Sequence, residues 1–371
     1  MKRIAFIRRT YDPFGGAENY IDTLINNLNG YEIHMLSSKW KETPCAVRHT
    51  VVDSASVSSA RSVTKFNRNA ARIIRQISPD CTVSFERTTS QDIYRAGDGC
   101  HRQWLNIRRI VSGRLKGLSF HFNMLHRTLL SIEKELFNAT PVIIANSNMV
   151  KRNIIEHYKV PEAKIHVLYN GVDLTRFNAG ARGRLSAEFR RELNVKDDTA
   201  ILLFVGSGFE RKGLGVLIEA MSRINTPAVL YVAGRGRTGK FEALSRRLGV
   251  RDKVFFAGAA TGIEMFYAAA DVFVLPTLYD PFSNATLEAM ASGCAVITTK
   301  NNGAAEIIED ARDGMLLNNM ADPEELAVKI DKSIPICREL GRMATEKAAA
   351  YSIGQAAGQF SRLIEDYCLN K

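Results

Sequence analysis

Two carboxylates bracket the start of a predicted helix in YDPFSNATLEAMASG, residues 279–293. Asp280 stands near the beginning of this stretch, and Glu288 follows about one turn into the helix. Ser283 or Asn284 between them is a good N-cap, and the unpaired amides of the first helical turn attract an anion such as phosphate. Glu288 can then accept hydrogen bonds from a ribose diol, and Asp280 from the hydroxyls of a sugar beyond the phosphates. The order acid, amides, acid predicts a nucleotide-sugar site, whereas a helix with an ordinary acid in its early turns is the alternative.

A pair of adjacent cations follows another apolar run, in the stretch VGSGFERKGLGVLIEA. Arg211 and Lys212 stand at the entrance of the next predicted helix, where Arg can bind two phosphate oxygens as a fork and Lys adds a mobile charge. The glycines here, beginning with Gly206, miss the spacing of the dinucleotide fingerprint, and the Gly-Lys-Ser/Thr order of a Walker motif is absent. We therefore expect these cations to bind a diphosphate, with solvated surface charge as the alternative.

Gly15 and Gly16 follow the first apolar run of the chain, in RRTYDPFGGAENY. A glycine pair before a helix lets backbone amides approach a ligand closely, because no Cβ atom is in the way. A plain turn explains a glycine pair equally well when it is taken alone. The three loops taken together favour a ligand site over the separate alternatives.

Apolar, β-branched runs alternate with helical patterns along nearly the whole chain. Continuous apolar strands separated by helices predict parallel sheets covered on both faces. Two series of such strands predict an α/β protein with two doubly wound Rossmann-like domains. Ligands of these sheets bind beyond the carboxyl ends of the strands, so we expect the functional loops to face a cleft between the domains. The predicted strands are 3–7, 32–37, 81–86 and 142–146 in the first series and 200–206, 229–234, 253–258, 271–276 and 295–299 in the second.

The composition is typical of a globular protein with more than one domain. The chain has 371 residues, of which 46% are hydrophobic and 24% charged. No stretch approaches a membrane span, and the apolar part of MKRIAFIRRT is too short for a signal peptide. The six cysteines form no CxxC pair, so we expect reduced, buried thiols of a cytoplasmic protein. We place the first domain at 1–170 and the second at 171–354, with a last helix, 355–371, packing back on the first.

The excess positive charge is confined to the first half of the chain. Residues 1–180 contain 26 Lys+Arg and 15 Asp+Glu, whereas residues 181–371 contain 24 of each. Residues 101–130 carry six Lys/Arg and no acid, interleaved with aromatic and aliphatic residues, which suits an anionic membrane surface. A helix with a solvated basic face is one alternative, and nucleic acid is another that no winged-helix, zinc or stacking motif supports. The expected membrane contacts are Arg102, Trp104, Arg108, Arg109, Arg114 and Lys116.

The combined motifs resemble glycosyltransferase family four, the retaining enzymes with the GT-B fold. The hallmark of this family, an acid with Pro-Phe and then Glu after seven intervening residues, corresponds to Asp280-Pro281-Phe282 and Glu288. The resemblance covers essentially the whole chain. Within the family, YDPFGG, FERKG and KFEALSRRLGVRDKVFF are most similar to the lipopolysaccharide core glucosyltransferases of Gram-negative bacteria. The other matching motifs are Gly15-Gly16-Ala17-Glu18, Asn170-Gly171-Val172-Asp173, and Gly206 with Arg211-Lys212-Gly213.

The resemblance implies a role for each matching residue. Arg211 and Lys212 would bind the diphosphate and stabilise the leaving group, and with Asp98 and Asp280 they form the expected catalytic set. Glu288 would hold the ribose. The donor-binding set would be completed by Gly15, Gly16, Gly206, Phe282, Ser283, Asn284 and Ala285. The acceptor side would contain Asp98, His101 and Glu18.

The implied reaction transfers a hexose, such as glucose, from a UDP-sugar to a lipopolysaccharide core or a similar glycolipid or oligosaccharide acceptor, with retained configuration. We expect no cofactor and no metal, because the paired cations take the task of a metal ion. The expected place is the cytoplasm, peripherally on the inner face of the cytoplasmic membrane, with no nucleic-acid partner. A nucleotide-sugar epimerase of similar build and a transferase to another polysaccharide are the alternatives.

Two features depart from the family pattern. The first acid is Asp280, where Glu is usual, and Phe-Ser-Asn follows in place of a glycine-containing turn. Both change the pocket around the sugar, so glucose, N-acetylglucosamine and galactose donors all remain open.

Overall fold

The computed structural model describes residues 1–10, 16–28, 30–40, 47–112 and 123–369. The chain divides into two compact units. The first unit consists of Met1–Tyr169 together with Gly354–Lys371, and the second of Asn170–Ile353.

The first unit is built on a seven-stranded parallel sheet with the strand order β3-β2-β1-β4-β5-β6-β7. The strand that contains Ile4 pairs on both sides, with Ile4 opposite Ile33 of one neighbour and Cys81 of the other. The strands are β1 (Lys2–Ile7), β2 (Tyr31–Ser37), β3 (Val47–Val51), β4 (Cys81–Ser84), β5 (Ile93–Arg95), β6 (Val142–Ala145) and β7 (Ile165–Val167). The helices that the described residues of 1–169 form are α1 (Gly16–Asn27), α2 (Ser59–Ile77), α3 (His101–Ser112), α4 (Met124–Ala139) and α5 (Asn148–Tyr158).

Helix α2 shows how local sequence sets these elements. The Ser58 hydroxyl caps the first turn by accepting from the amide of Arg61, and Ser78 ends the helix in the left-handed region with φ 47°. Val63 and Phe66 lie three residues apart on the buried face, so the helix packs one apolar stripe against the sheet.

The second unit is built on a six-stranded parallel sheet with the strand order β10-β9-β8-β11-β12-β13. Its central strands are apolar runs buried at every position except the half-buried Val205, as expected where helices cover both faces. The strands are β8 (Ala200–Val205), β9 (Ala228–Ala233), β10 (Val254–Gly258), β11 (Val272–Leu275), β12 (Ala295–Thr299) and β13 (Met315–Leu317). The helices are α6 (Ala179–Glu192), α7 (Leu214–Met221), α8 (Gly239–Arg247), α9 (Ile263–Ala269), α10 (Asn284–Ala291), α11 (Pro323–Ser333) and α12 (Cys337–Ala348).

The last helix, α13 (Ile353–Leu369), returns to the first unit. Its Phe360 is 1% exposed and lies with its ring centroid 6.3 Å from that of Phe6 and 6.1 Å from that of Phe85. Ile364 on the same face is fully buried. The final residues of the chain thus complete the core of the first unit.

These sheets confirm the predicted fold class of two doubly wound Rossmann-like domains. Four strands have no counterpart in the sequence prediction: three of them span three residues each, and β3 is mostly exposed. Within the described residues, no helix is long and apolar enough to cross a lipid bilayer. The expectation of buried thiols holds for three cysteines. Cys81, Cys100 and Cys294 are buried, Cys337 and Cys368 are half-buried, and Cys45 lies outside the described residues.

Candidate active site

Lys212 and Asp280 form a buried ion pair at the carboxyl edge of the second sheet. They follow β8 and β11, which are adjacent parallel strands, so both loops leave the same edge. Lys212 Nζ donates to Asp280 Oδ2, and the two residues are 8% and 5% exposed. Burial lowers the pKa of the Lys212 ammonium group, while the charge of Asp280 acts to raise it and that of Arg211 to lower it. The sequence places these two residues in separate loops, and the fold brings them together.

Arg211 lies beside this pair and is fixed by the loop that follows β11. Its Nη1 donates to the carbonyl of Tyr279 at 2.8 Å. Its own carbonyl accepts from Thr277 Oγ1 at 3.1 Å and from the amide of Leu278 at 2.8 Å. The two loops are therefore tied to each other through the backbone of Arg211 as well as through its side chain.

Two glycines allow the loops that follow β8 and β11 to lie this close to each other. Gly213 has φ 80°, and a Cβ atom there would lie 1.9 Å from the carbonyl oxygen of Pro276. A Cβ atom on Gly206 would lie 3.2 Å from Lys212 Cε. Any side chain at 213 would push the loops apart, and one at 206 would crowd the stem of the lysine.

Asn302, which follows β12, anchors the loop around Asp280. It is fully buried, and its Oδ1 accepts from the amide of Ser283 at 3.1 Å. Its Nδ2 donates to the hydroxyls of Thr286 and Thr298, each at 3.0 Å. One buried amide therefore connects the start of α10, the end of β12 and the loop that contains the acid.

The start of α10 has the N-cap that the sequence predicts. The hydroxyl of Ser283 accepts from the amide of Thr286 at 3.3 Å. The side chain of the next residue, Asn284, accepts a hydrogen bond from Asn170 Nδ2 at 2.5 Å. Asn170 opens the Asn-Gly-Val-Asp motif, so a residue at the first position of the second unit holds the beginning of this helix.

Glu288 is held by a buried tyrosine. Tyr267 OH lies 2.9 Å from Glu288 Oε2, to which it donates, and 3.2 Å from the carbonyl oxygen of Ala285. Burial raises the pKa of the Glu288 carboxyl, although the Tyr267 hydrogen bond and the charge of Lys212 act to lower it. Phe282 is 5% exposed, so its side chain belongs to the core beneath the loop.

A second charged cluster lies at the carboxyl edge of the first unit's sheet. Asp98, which follows β5, is 3.1 Å from Arg8 Nη1 and 3.8 Å from Arg87 Nη1 through its Oδ2 atom. Its side chain is 39% exposed, whereas those of the two arginines are 14% and 10% exposed. Burial alone would lower the pKa of Arg8, but Asp98, Glu86 and Glu18 raise it above its ordinary value. Two permanent cations thus hold a carboxylate that solvent can reach.

His101 begins α3 next to this cluster. Its Nε2 lies 3.2 Å from His126 Nδ1. Burial, the charge of Arg87 and that of His126 lower its pKa to about 4, against the opposing effect of Glu133. His101 is therefore a neutral imidazole at neutral pH.

Three remaining positions lie on the loop after β1 and on α1. Glu18 is 6% exposed and accepts from Arg8 Nε at 2.9 Å, so its carboxylate is a structural counter-ion of that arginine. Gly16 is the first residue of α1. Gly15 lies outside the described residues.

The expected membrane contacts lie on α3 and in the segment after it. Arg102 and Arg109 are exposed, and Trp104 and Arg108 are half-buried. Exposed apolar side chains continue the same helix, with Ile110 75% exposed and Val111 46% exposed. Arg114 and Lys116 lie outside the described residues.

Several residues that organise these clusters are not evident from the sequence. Arg8, Arg87 and Glu133 read as ordinary surface charges, because nothing in their local pattern reveals burial. Asn302 could have been noticed in the sequence, since it belongs to an Asn-Asn-Gly turn that begins two residues after the end of a predicted strand. Tyr267 lies within an apolar helical pattern, which gives no reason to expect its hydroxyl to bind a carboxylate.

Two family models match the chain in succession. Residues 14–176 match the model described as Glycosyltransferase Family 4, and residues 199–334 match that described as Glycosyl transferases group 1. An uncharacterized glycosyltransferase of Methanocaldococcus jannaschii is 35% identical over 51% of this chain, and the match spans half of that protein's length. The lipopolysaccharide glucosyltransferase WaaG of Escherichia coli is 25% identical over 89% of both chains.

Solved structures show the same architecture. A crystal structure of WaaG, a glycosyltransferase involved in lipopolysaccharide biosynthesis, has a TM-score of 0.87 at 23% identity, covering 97% of this chain and 99% of that one. HepE of Anabaena, in complex with UDP-glucose, has a TM-score of 0.76 at 17% identity, covering 99% of this chain and 100% of that one. The chain is therefore a member of glycosyltransferase family four and has the GT-B fold.

Proposed function

We propose that this glycosyltransferase moves a hexose, glucose or a close relative, from a UDP-sugar to a lipopolysaccharide core or similar cell-envelope glycolipid, with retention of configuration. The observation that carries this proposal is the arrangement of Arg211, Lys212, Asp280 and Glu288 around one sheet edge of the second unit. It supplies cations for a diphosphate and carboxylates for the sugars on either side of it.

The donor assignment is supported by the chemistry of these groups. Arg211 has a guanidinium that can bind two phosphate oxygens, and Lys212 adds a second charge beside it. Glu288 is half-buried one turn into α10, where a ribose diol can donate to its oxygens. HepE binds UDP-glucose on the same fold, which favours uridine nucleotides as the first donors to try.

The proposed reaction exchanges one glycosidic bond for another. The bond between the donor's anomeric carbon and the β-phosphate oxygen breaks, and a bond from the acceptor oxygen to the same face of that carbon forms. The acceptor proton passes to the departing phosphate oxygen, so charges balance without an added reactant. Arg211 and Lys212 stabilise the charge that develops on the diphosphate, and in this proposal no metal ion shares that task. Asp98 orients the acceptor hydroxyl from the first unit.

The acceptor assignment is supported by the relatives and by the surface of α3. WaaG is named for lipopolysaccharide glucosyl transfer and aligns with most of this chain. Exposed arginines and exposed aliphatic residues both occur on α3, a mixture that suits an anionic lipid surface. We therefore place the enzyme peripherally on the cytoplasmic face of the inner membrane.

Donor and product analysis tests the reaction. Nucleotide sugars are screened for thermal stabilisation, because a ligand at about 100 times its dissociation constant adds about 2.7 kcal/mol. The stabilising donor is then incubated with a lipopolysaccharide-core acceptor, and the product's anomeric configuration is read by NMR. A retained linkage to the acceptor is expected. Release of an altered nucleotide sugar without any acceptor would show that the enzyme is an epimerase and not a transferase.

Vesicle binding tests the membrane assignment. The double variant Arg102→Gln/Arg109→Gln should bind anionic vesicles more weakly, by roughly 1 kcal/mol per charge removed. The double variant Arg68→Gln/Arg72→Gln on the exposed face of α2 is the matched control and should bind as the wild type does. Equally weakened vesicle binding in both double variants would mean that binding depends only on the net charge of the protein.

A further inference from the structure

One fully buried carboxylate, that of Glu133 on α4, organises the first unit's charged edge. Its Oε1 accepts from the amide of His101 at 2.8 Å and from Arg87 Nε at 3.2 Å. Its Oε2 accepts from the amide of Arg102 at 3.2 Å and from Tyr158 OH at 2.5 Å. Four donors from three separate elements thus converge on two oxygens.

Glu133 fixes the loop that carries Asp98 from both sides. The amides of His101 and Arg102 are the first two of α3, so the carboxylate caps that helix where the loop ends. Arg87 donates to the carbonyl of Gly99 at 3.0 Å and lies 3.8 Å from Asp98 Oδ2. The loop 98–102 is thereby held through its carbonyl, its amides and its acid.

We propose that Glu133 is a positioning residue for the acceptor. Through Arg87 and the cap of α3 it fixes the direction in which Asp98 presents its carboxylate. This inference rests on the proposed function, because it assigns Asp98 to the acceptor hydroxyl. Arg8 contacts Asp98 from the other side and is itself held by Glu18, so Glu133 supplies one of two supports.

A carboxylate is required at 133 because each oxygen must accept. Glutamine has the same shape, but its amide nitrogen would face two donors at one of the two positions. Either Arg87 and the amide of His101, or Tyr158 and the amide of Arg102, would lose their acceptor. Since Arg87 is buried, its charge would also lose its nearest counter-ion.

Kinetics of Glu133→Gln with acceptor and donor varied separately tests the proposal. We expect kcat/KM for the acceptor to fall about 100-fold, as for a misplaced reacting group. The KM for the donor and the rate of donor hydrolysis by water should be unchanged, because the charged donor groups, Arg211 and Lys212 with the two acids near them, belong to the second unit and do not contact Glu133. A general loss of structure would lower kcat/KM for the acceptor and the rate of donor hydrolysis together. Unchanged acceptor kinetics in the folded variant would overturn the proposal.

A charge-balanced variant covers the case in which Glu133→Gln does not fold. Arg87→Gln/Glu133→Gln removes both members of the buried pair, so the stability cost is smaller. It should fold and still transfer poorly, whereas wild-type transfer by this variant would overturn the proposal. Glu135→Gln, the same change at an exposed position of α4, is the matched control and should keep acceptor kinetics. If the wild type itself forms no product with any acceptor, the proposed function fails. If the wild type transfers sugar and Glu133→Gln has the same acceptor kinetics, this inference alone fails.

Discussion

Replacing Lys212 by methionine separates the two tasks that the structure gives to this lysine. The unbranched side chain keeps the stem that packs beside Gly206 and removes the charge that bonds to Asp280. The lysine is expected to stabilise the leaving diphosphate, and losing one preorganised donor costs about 100-fold or more in kcat. We therefore expect sugar transfer by Lys212→Met to fall by at least about 100-fold.

The same change should destabilise the second unit, because Asp280 is left charged and buried. Breaking one side of a buried ion pair costs about 3–5 kcal/mol. A unit of this size loses about 2–4 °C in Tm per kcal/mol, so the expected decrease in Tm is about 6–20 °C. The double variant Lys212→Met/Asp280→Asn removes both charges and should recover most of this loss.

Product formation and Tm are measured together in the single and double variants. Transfer is followed by mass spectrometry of the glycosylated acceptor, and unfolding by calorimetry. Lys332→Met, a change of an exposed lysine in α11, is the matched control and should alter neither quantity. The double variant should be stable and still inactive. Recovery of transfer in the double variant would show that Lys212 only neutralises Asp280, and near-normal transfer by Lys212→Met would refute the diphosphate assignment.

Three further outcomes follow from burial. The pKa of Glu288 is raised from 4.5, so the folded state binds more protons than the unfolded chain above that pH, and the free energy of unfolding falls as pH rises. The Tm of Glu288→Gln should therefore be higher than that of the wild type at pH 8 but not at pH 4. The same variant should lose donor binding. The pKa of His101 is lowered from 6.5 to about 4, so the unfolded chain binds more protons than the folded protein between these pH values, and stability is lost as pH falls. The Tm measured from pH 7.5 to pH 5 should therefore fall less for His101→Gln than for the wild type. Phe360→Ala should lower the free energy of unfolding of the first unit by about 3–5 kcal/mol, measured by calorimetry. Leu369→Ala, which changes a 78% exposed side chain at the end of the same helix, should lower it by almost nothing.

The parallel sheets could be predicted because nearly every residue of their central strands is buried, whichever face it points to. Apolar runs such as 200–205 and 272–275 contain no alternation, and this pattern is typical of covered parallel strands. The edge strand β3 has exposed Arg48 and His49, and β13 has three residues. Such strands form because a neighbouring ladder offers hydrogen bonds, which is information that their own sequence does not contain.

The candidate site could be predicted in part for the same reason. Parallel strands end at one edge, so loops that follow β8 and β11 meet there wherever their residues stand in the chain. The bond between Lys212 and Asp280 is different, since it joins residues 68 positions apart and depends on the loop path that Gly213 permits. The burial of Glu133 is a property of the tertiary fold, and its sequence neighbours Lys134 and Glu135 suggest a solvated face.

The return of α13 has a consequence for biosynthesis. The second unit is one continuous stretch, Asn170–Ile353, and all of it is synthesised before Phe360 is added to the chain. The earlier stretch, by contrast, waits for that ring to fill the space beside Phe6 and Phe85. A chain that stops in its last twentieth would therefore contain every residue of the later-encoded unit, whereas the earlier-encoded unit would have an open apolar core.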